Sequence, residues 1–339
     1  MSCKIFVSIA AWRDPFIINT VKSIYSNAYK PDEVTVGVIF QGYEEDRWMV
    51  QGLQDIHKNV KLLWVHALDA PINLCEIRGR MMRNLVTNED YFLQIDSHTK
   101  MAPEWDVSLI AELHVAESKF GKCIIQGHSA LFHFWSEPFV QPPLTSVPDA
   151  ETFFSQGSTL YGHVQMKPEN TLVKEKFFNA NSVFSRTSFI YEVPQPDEIP
   201  FDWEQPIMSM RTWTAGYEIV SPTKTYTNCF DYNGDEEKES HFRYVRKGDR
   251  NFIKPYRKAY LRAMELYFRI FALNEYKESY GPMGVRSLEA YVDWVGWNPL
   301  TFRLIRDDGP VPAKDSVVLQ DDELELMIMY IKGLYDKAS

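Results

Sequence analysis

Residues 91–98 read YFLQIDSH, an apolar run that is followed directly by an acid and, two residues later, a histidine. The run YFLQI has the length and the aromatic and aliphatic content of a buried β-strand. Asp96 and His98 stand just beyond its predicted end. Open α/β sheets bind their ligands beyond the carboxyl ends of the strands. This segment therefore indicates both an α/β fold and the place of a site.

The chain before this segment alternates between strand and helix patterns. Strands are predicted by short apolar runs at 4–9, 34–40 and 60–65. Helices are predicted by the spacing of Ile17, Val21 and Ile24 and by residues 76–85. Such alternation is typical of an α/β fold with a Rossmann-like, mostly parallel sheet flanked by helices.

Polar residues follow two other predicted strands as well. Arg13 and Asp14 come shortly after the first strand, and Gln41 follows the second. Because the carboxyl ends of parallel strands share one edge of the sheet, we expect these residues to lie near Asp96 and His98.

The second half of the chain has a weaker pattern. Residues 141–149 are rich in proline, and no regular period continues to 162, which predicts a long loop that could cover the site. A strand is then predicted at 177–184 and a helix at 204–214. Beyond 252 the pattern is helical, with segments near 256–272, 285–295 and 321–334. We therefore expect an α/β domain over 1–250 and a helical region over 251–339 packed on it.

Composition narrows the class of protein. The 339 residues are 45% hydrophobic, which is enough for a full core, and a net charge of -10 argues against a surface that binds nucleic acid as a whole. The four cysteines are widely spread without a CxxC pair, a pattern that fits reduced thiols in a cytoplasmic protein, or in host cytoplasm for a viral product. No apolar run reaches membrane-spanning length, so no membrane partner is expected.

Asp96 and His98 are the strongest candidates for metal ligands. A carboxylate and an imidazole just past a strand end can turn toward one divalent cation. This ligand pair suits Mn²⁺, or Mg²⁺ as the alternative, and such an ion also accepts diphosphate oxygens. The other interpretation is that Asp96 caps the next turn and His98 is merely exposed at the surface.

The stretch 91–106, YFLQIDSHTKMAPEWD, resembles the signature of the Skp1-type GlcNAc-transferase family, glycosyltransferase family 60. The likeness continues in order over roughly residues 4–300. The further segments that carry it are IFVSIAAWRDP, GVIFQG, EIRGRMMRNL, FDWEQPIMSMRTWTAGYEIVSP and YGPMGVRSLEAYVDWVGW. Each motif is moderately specific, and their shared order makes the resemblance persuasive.

The resemblance implies a GT-A fold over 1–250 and an enzyme of the hexosyl- or pentosyltransferase class. It also implies UDP-GlcNAc or a similar UDP-sugar as the donor, a divalent metal and retention of the anomeric configuration. By the same resemblance, Asp96 and His98 would hold the metal that bridges the donor diphosphate. Arg80 matches the arginine of the helix before that strand and would neutralise nucleotide phosphate.

Further roles follow from the same resemblance. Arg13, Asp14 and Gln41 fall where the uridine would lie. Glu204 matches the first acid of the family's Gly-Glu-Glu motif and would face the reacting sugar or the acceptor hydroxyl. With Asp96 it forms the predicted catalytic pair. The acceptor would be a hydroxyl group on a protein or glycan.

The sequence departs from the family pattern at two places. Residues 203–205 are Trp-Glu-Gln where the family has Gly-Glu-Glu, which bears on the sugar transferred. Residues 225–232 read TYTNCFDY where a histidine is expected as third metal ligand, and Asn228, Asp231 or His241 could replace it.

Two other functions stay open at this stage. Basic residues between 243 and 262, interleaved with aromatic ones, could bind DNA in a viral-type glycosyltransferase acting on hydroxymethylated bases. The same cluster could be a solvated helix face, and the acidic run 235–237 would repel DNA. The departures at Gln205 and Asn228 also fit a non-catalytic module that binds sugar nucleotides.

Overall fold

The computed structural model describes most of the chain. The described residues are 3–67, 69, 74–147, 163–199, 203–231, 258, 261–298, 303–304, 316–319 and 322–338.

Four parallel strands form the first half of a nine-stranded sheet, in the order β3-β2-β1-β4. They are β1 (Ile5–Trp12), β2 (Val34–Gly42), β3 (Val60–His66) and β4 (Tyr91–Asp96). The apolar runs of β1, β2 and β4 are almost wholly buried, as expected for strands covered on both faces, whereas the edge strand β3 is only partly buried. The strands predicted from these runs are confirmed.

Helices cover both faces of this half-sheet. Along β1, Ile5, Val7 and Ile9 belong to one core cluster, which includes α1 (Ile17–Asn27) and α3 (Trp105–Phe120). Phe6 points to the other face, where it packs with α2 (Leu74–Asn84) in a second cluster. The alternation along the strand thus distributes its side chains between two helical layers. The predicted α/β class, with a parallel half-sheet flanked by helices, is confirmed.

The second half of the sheet is mixed. Strand β11 (Ser182–Arg186) runs antiparallel to both β4 and β6 (Cys123–Gln126). Beyond β6 the order continues through β12 (Glu218–Ser221), β10 (Thr171–Glu175) and β16 (Ser316–Val318).

The single strand predicted at 177–184 is wrong in its bounds. The structure has β10 ending at Glu175 and β11 beginning at Ser182, with an irregular turn between them. In that turn the Phe178 N–H donates to Ser209 Oγ at 2.7 Å, and the Asn179 N–H donates to the side chain of Gln126. Side chains thus satisfy backbone groups that a strand would have paired in a ladder.

A small second sheet extends from the end of β4. It has the order β5-β13-β7, formed by β5 (Thr99–Met101), β13 (Thr227–Phe230) and β7 (Ala130–Phe132). An antiparallel pair, β8 (Leu144–Val147) with β9 (His163–Met166), begins within the stretch 141–162 where a long loop was predicted. The prediction is wrong at 144–147, and 148–162 lie outside the described residues.

The remaining elements are mainly helical. Short 3-10 turns occupy Pro31–Glu33 and Glu44–Val50, and α4 (Ser188–Glu192) and α5 (Glu204–Thr214) flank the sheet. Near the C-terminus are α6 over 261–268, continued by a π-helical turn Arg269–Leu273, then α7 (Leu288–Val295) and α8 (Glu323–Ala338). Between α7 and β16 lies the two-stranded pair β14 (Trp297–Asn298) and β15 (Arg303–Leu304). A helical C-terminal region is confirmed, whereas the division at residue 250 stays a prediction.

All four cysteines are described, and all are free thiols. Within the described ranges, no helix combines the length and the apolar character that crossing a bilayer requires. The predicted cytoplasmic location stays a prediction.

Candidate active site

The polar residues predicted to meet do lie at one edge of the sheet. Trp12 of β1 is in register with Gln41 of β2, and Ala10 of β1 is in register with Asp96 of β4. The Arg13 N–H then donates to the Gln41 carbonyl at 2.9 Å, so the two strand ends are tied together just where they leave the sheet. The parallel arrangement thus places these segments side by side.

Asp96, His98 and Cys229 form a cluster with the composition of a metal site. One oxygen, one ring nitrogen and one sulfur from these residues all lie within 4.8 Å of one another. The side chains of Asp96 and His98 are 31% and 13% exposed, so both keep some surface that a ligand can reach. These donor types fit a divalent transition metal such as Mn²⁺ or Zn²⁺.

Asp14 fixes the ring of His98. This carboxylate is fully buried, and its Oδ2 lies 2.8 Å from His98 Nδ1 and accepts a hydrogen bond from Ser97 Oγ at 2.6 Å. Its Oδ1 accepts from the Phe16 N–H at 2.8 Å. Because Asp14 engages Nδ1, a cation would bind His98 through Nε2.

The pKa of His98 is raised well above its ordinary value of 6.5. Burial alone would lower this pKa, but the neighbouring Cys229 and the carboxylate of Asp14 outweigh it. Metal binding at this ring therefore competes with a proton.

Arg78 and Glu204 form a buried ion pair beside the cluster. The Arg78 guanidinium donates to Glu204, and its Nη2 lies 3.8 Å from Asp96 Oδ1. Burial raises the pKa of Glu204 and outweighs the lowering by Arg78. One arginine thus stands between two carboxylates, and the predicted acid Glu204 lies in contact with the group that touches Asp96.

Arg80 lies elsewhere on the same helix. It pairs with Glu76 one turn earlier, and its side chain is 35% exposed. A helix turns about 200° over two residues, so Arg78 and Arg80 cannot share a face. Arg78 shares its face with buried Met81 and Met82, a signal that could have identified it from the sequence. The phosphate contact of Arg80 stays a prediction.

Arg13 is held in an unusual backbone conformation at the end of β1. Its φ of 46° lies in the left-handed region, which is uncommon for residues other than glycine. The guanidinium forms two hydrogen bonds to the buried Asp46 and lies 4.9 Å from the centre of the Tyr43 ring. Such local strain, held by a buried ion pair, is found mainly at functional sites.

The predicted alternatives for the third metal ligand have different positions. Asn228 is fully buried, and with its amide correctly oriented it bonds both the N–H and the carbonyl of Val140. Asp231 Oδ2 lies 3.9 Å from His133 Nδ1. His241 lies outside the described residues. Among the described residues, Cys229, which was not among the predicted ligands, joins Asp96 and His98.

A parallel half-sheet covered by helices on both faces, with an acid–histidine pair at the end of its fourth strand, agrees with the GT-A arrangement that the resemblance implies. Comparison with known protein families identifies the family of this chain. The family model Glycosyltransferase (GlcNAc) matches residues 4–64 and 78–241, which is well over half of the chain, and the chain belongs to that family.

Distant likenesses to solved structures accompany the family match. S. aureus TarS 1-349 in complex with UDP-GlcNAc is 11% identical with a TM-score of 0.44, over 70% of this chain and 61% of that one. The mannosyltransferase PcManGT from Pyrobaculum calidifontis, in complex with GDP-Man and Mn²⁺, is 10% identical with a TM-score of 0.45, over 80% and 70% of the two chains. The chain thus spans about three fifths of the TarS structure. No curated protein sequence matches.

Proposed function

We propose that this glycosyltransferase is metal-dependent and moves a GlcNAc-like sugar, with retention, from a UDP-sugar to a hydroxyl group on a protein or glycan. Within its family we place it with the Skp1-type enzymes of glycosyltransferase family 60. The co-linear order of motifs over residues 4–300 supports this placement.

One observation carries the proposal. Asp96 and His98 lie at the end of a central strand with their ligand atoms close together, and a buried carboxylate, Asp14, orients the imidazole. This carboxylate–histidine arrangement is the usual support of a metal-binding histidine. We therefore assign Asp14 to positioning His98, while Arg13 and Gln41 remain the proposed uridine contacts.

Transfer breaks the bond between the anomeric carbon and the diphosphate and forms one to the acceptor oxygen. A bound divalent ion supplies electrophilic stabilisation of the leaving diphosphate. Arg78, beside Asp96, adds positive charge where negative charge develops. Glu204 stabilises the positive charge that grows on the sugar ring. In this retaining reaction the acceptor proton passes to the departing phosphate, so no protein base is required.

The test is the substitution Asp96→Ala. We expect Mn²⁺-dependent release of UDP from UDP-GlcNAc to fall at least about 100-fold, because a ligand of the ion is lost. Without an acceptor, the assay measures slow hydrolysis of UDP-GlcNAc. With candidate hydroxyl acceptors, it measures sugar transfer. Thermal stabilisation by UDP with Mn²⁺ reports donor binding separately.

The matched control is Glu45→Ala, which removes an exposed acid near the same edge of the sheet. It should leave turnover unchanged. Full activity of a folded Asp96→Ala protein would refute the proposed role of the metal.

A further inference from the structure

We propose that the thiolate of Cys229 is the third protein ligand of the metal, so that this site prefers borderline and softer divalent ions over Mg²⁺. The inference rests on the proposed metal at Asp96 and His98. The proposed ligand atom is the sulfur of a cysteine, whereas the family resemblance leads us to expect a histidine at this place.

The small second sheet brings the sulfur to the site. In the pairing of β13 with β5, Cys229 is in register with Thr99, the residue directly after His98. The Phe230 N–H donates to the His98 carbonyl at 3.0 Å, which holds the two segments in this register. Side chains alternate along a strand, so Asn228 points to the opposite face, where it bonds Val140. Strand geometry therefore selects the cysteine and turns the asparagine away.

The separations suit a shared ion. Metal–sulfur and metal–nitrogen bonds of about 2.3 Å and about 2.0 Å allow two ligands of one ion to be up to about 4.3 Å apart. The three ligand atoms already lie within 4.8 Å of one another, so small side-chain rotations complete the geometry. Three protein ligands also leave room for oxygen atoms of a substrate.

The four cysteines differ in a way that supports this assignment. Cys3, Cys75 and Cys123 are buried, and burial raises the pKa of each thiol, which opposes the thiolate form that binds metals. Cys229 is only half-buried and lies beside the imidazole of His98. On metal binding its thiol proton passes to solvent, and the sulfur lone pair forms the bond to the ion.

Sulfur changes which ions the site accepts. Mg²⁺ is a hard ion that favours oxygen ligands, whereas Zn²⁺ and Co²⁺ bind thiolate and imidazole well. We therefore expect the wild-type chain to bind Co²⁺ and Zn²⁺ much more tightly than Mg²⁺. The substitution Cys229→Ser should weaken Co²⁺ and Zn²⁺ binding at least about 10-fold while changing Mg²⁺ binding little.

The decisive experiment is optical titration of the full chain with Co²⁺. Bound Co²⁺ should produce a near-ultraviolet sulfur-to-metal charge-transfer band in the wild type and in Cys3→Ser, the control that removes a buried thiol. The band should be lost in Cys229→Ser. Calorimetry on the same samples establishes that Co²⁺ is bound. Bound Co²⁺ without the band, or a band that persists in Cys229→Ser, would overturn the assignment.

A second measurement needs no variant. Zn²⁺ should protect Cys229 of the wild-type chain from alkylation by iodoacetamide, as followed by peptide mass spectrometry. Alkylation that is unaffected by bound Zn²⁺ would contradict the proposal.

The failure of this inference can be distinguished from the failure of the proposed function. If sulfur is not a ligand but turnover still depends on Asp96, only this inference fails; if Asp96→Ala stays active while the band is present, only the metal's role in transfer fails.

Discussion

At the scale of single residues, the carboxylate of Asp14 shows how a buried group can serve a site that it does not line. It has no exposed surface, and it holds Ser97, His98 and the backbone of Phe16. An acidic residue next to a strand end is expected to contact a ligand. The hydrogen bonds of Asp14 show instead that it orients His98.

We predict that Asp14→Asn lowers Mn²⁺ affinity about 10–100-fold, because the amide is uncharged and orients the imidazole less well. Affinity is measured by electron paramagnetic resonance and compared with thermal unfolding of the same variant. The control is Asp46→Asn, another buried aspartate of this edge, which pairs with Arg13 instead. Equal losses of affinity in the two variants would contradict a specific role for Asp14.

At the scale of elements, a second buried carboxylate joins strands that are distant in the chain. Glu175, at the end of β10, accepts hydrogen bonds from Gln126 at 2.6 Å and from Thr145 Oγ1 at 3.0 Å, and it lies 2.9 Å from His128 Nε2. Burial raises the pKa of Glu175, but His128, Lys167 and the Ser146 N–H outweigh this, and the net shift is downward. Its ionised form therefore stabilises the attachment of β8.

We predict that Glu175→Gln lowers the free energy of unfolding by about 1.5–3 kcal/mol at neutral pH, because hydrogen bonds to a charged acceptor are lost. The folded-state pKa of Glu175 lies below its ordinary value of 4.5. At pH values between these two pKa values the unfolded chain therefore binds more protons than the folded chain. The contribution of the wild-type carboxylate is thus complete above about pH 4.5 and declines as the pH falls through the folded-state pKa.

Denaturant unfolding of both proteins at neutral and at successively lower pH checks this prediction. The difference in stability should shrink in acid. The control is Glu169→Gln, which changes an exposed acid two residues before β10. Its stability difference from the wild type should not change with pH. A difference that stays constant with pH would indicate that the carboxylate charge is not what stabilises β8.

At the scale of the whole molecule, the C-terminal segment is part of the main core. Strand β16 extends the sheet beside β10, and α8 packs on α3. Ile331 of α8 is fully buried in the same cluster as the central strands, and Lys332 forms a 2.6 Å ion pair with Glu104 just before α3. The end of the chain should therefore unfold together with the central sheet.

We predict that Ile331→Ala lowers the free energy of unfolding by about 2–5 kcal/mol, because it leaves a cavity in the shared core. On the same helix Met329 is 67% exposed, and Met329→Ala should change stability by less than about 0.5 kcal/mol. Thermal unfolding, followed by circular dichroism and by tryptophan fluorescence, should show one transition. A separate early transition in Ile331→Ala would mean that α8 is an independent unit.

The sequence by itself determined the parallel half of the sheet and the edge at which the site lies. Apolar runs such as 34–40 and 91–95 are long enough to be strands, and the polar residues that end them must meet when the strands are parallel. Asp96 and His98 were predicted as ligands for the same local reason: they are two positions apart, and one strand end positions both.

Only the tertiary structure decided which distant residues complete the site. His98 and Asp14 are 84 positions apart, Arg78 and Glu204 are 126 apart, and Cys229 reaches the cluster through the register of β13 with β5. Such contacts depend on strand register and helix phase, and a shift of one residue turns a side chain to the opposite face. Residue type alone cannot specify them, because the pairing is set by how the whole chain packs.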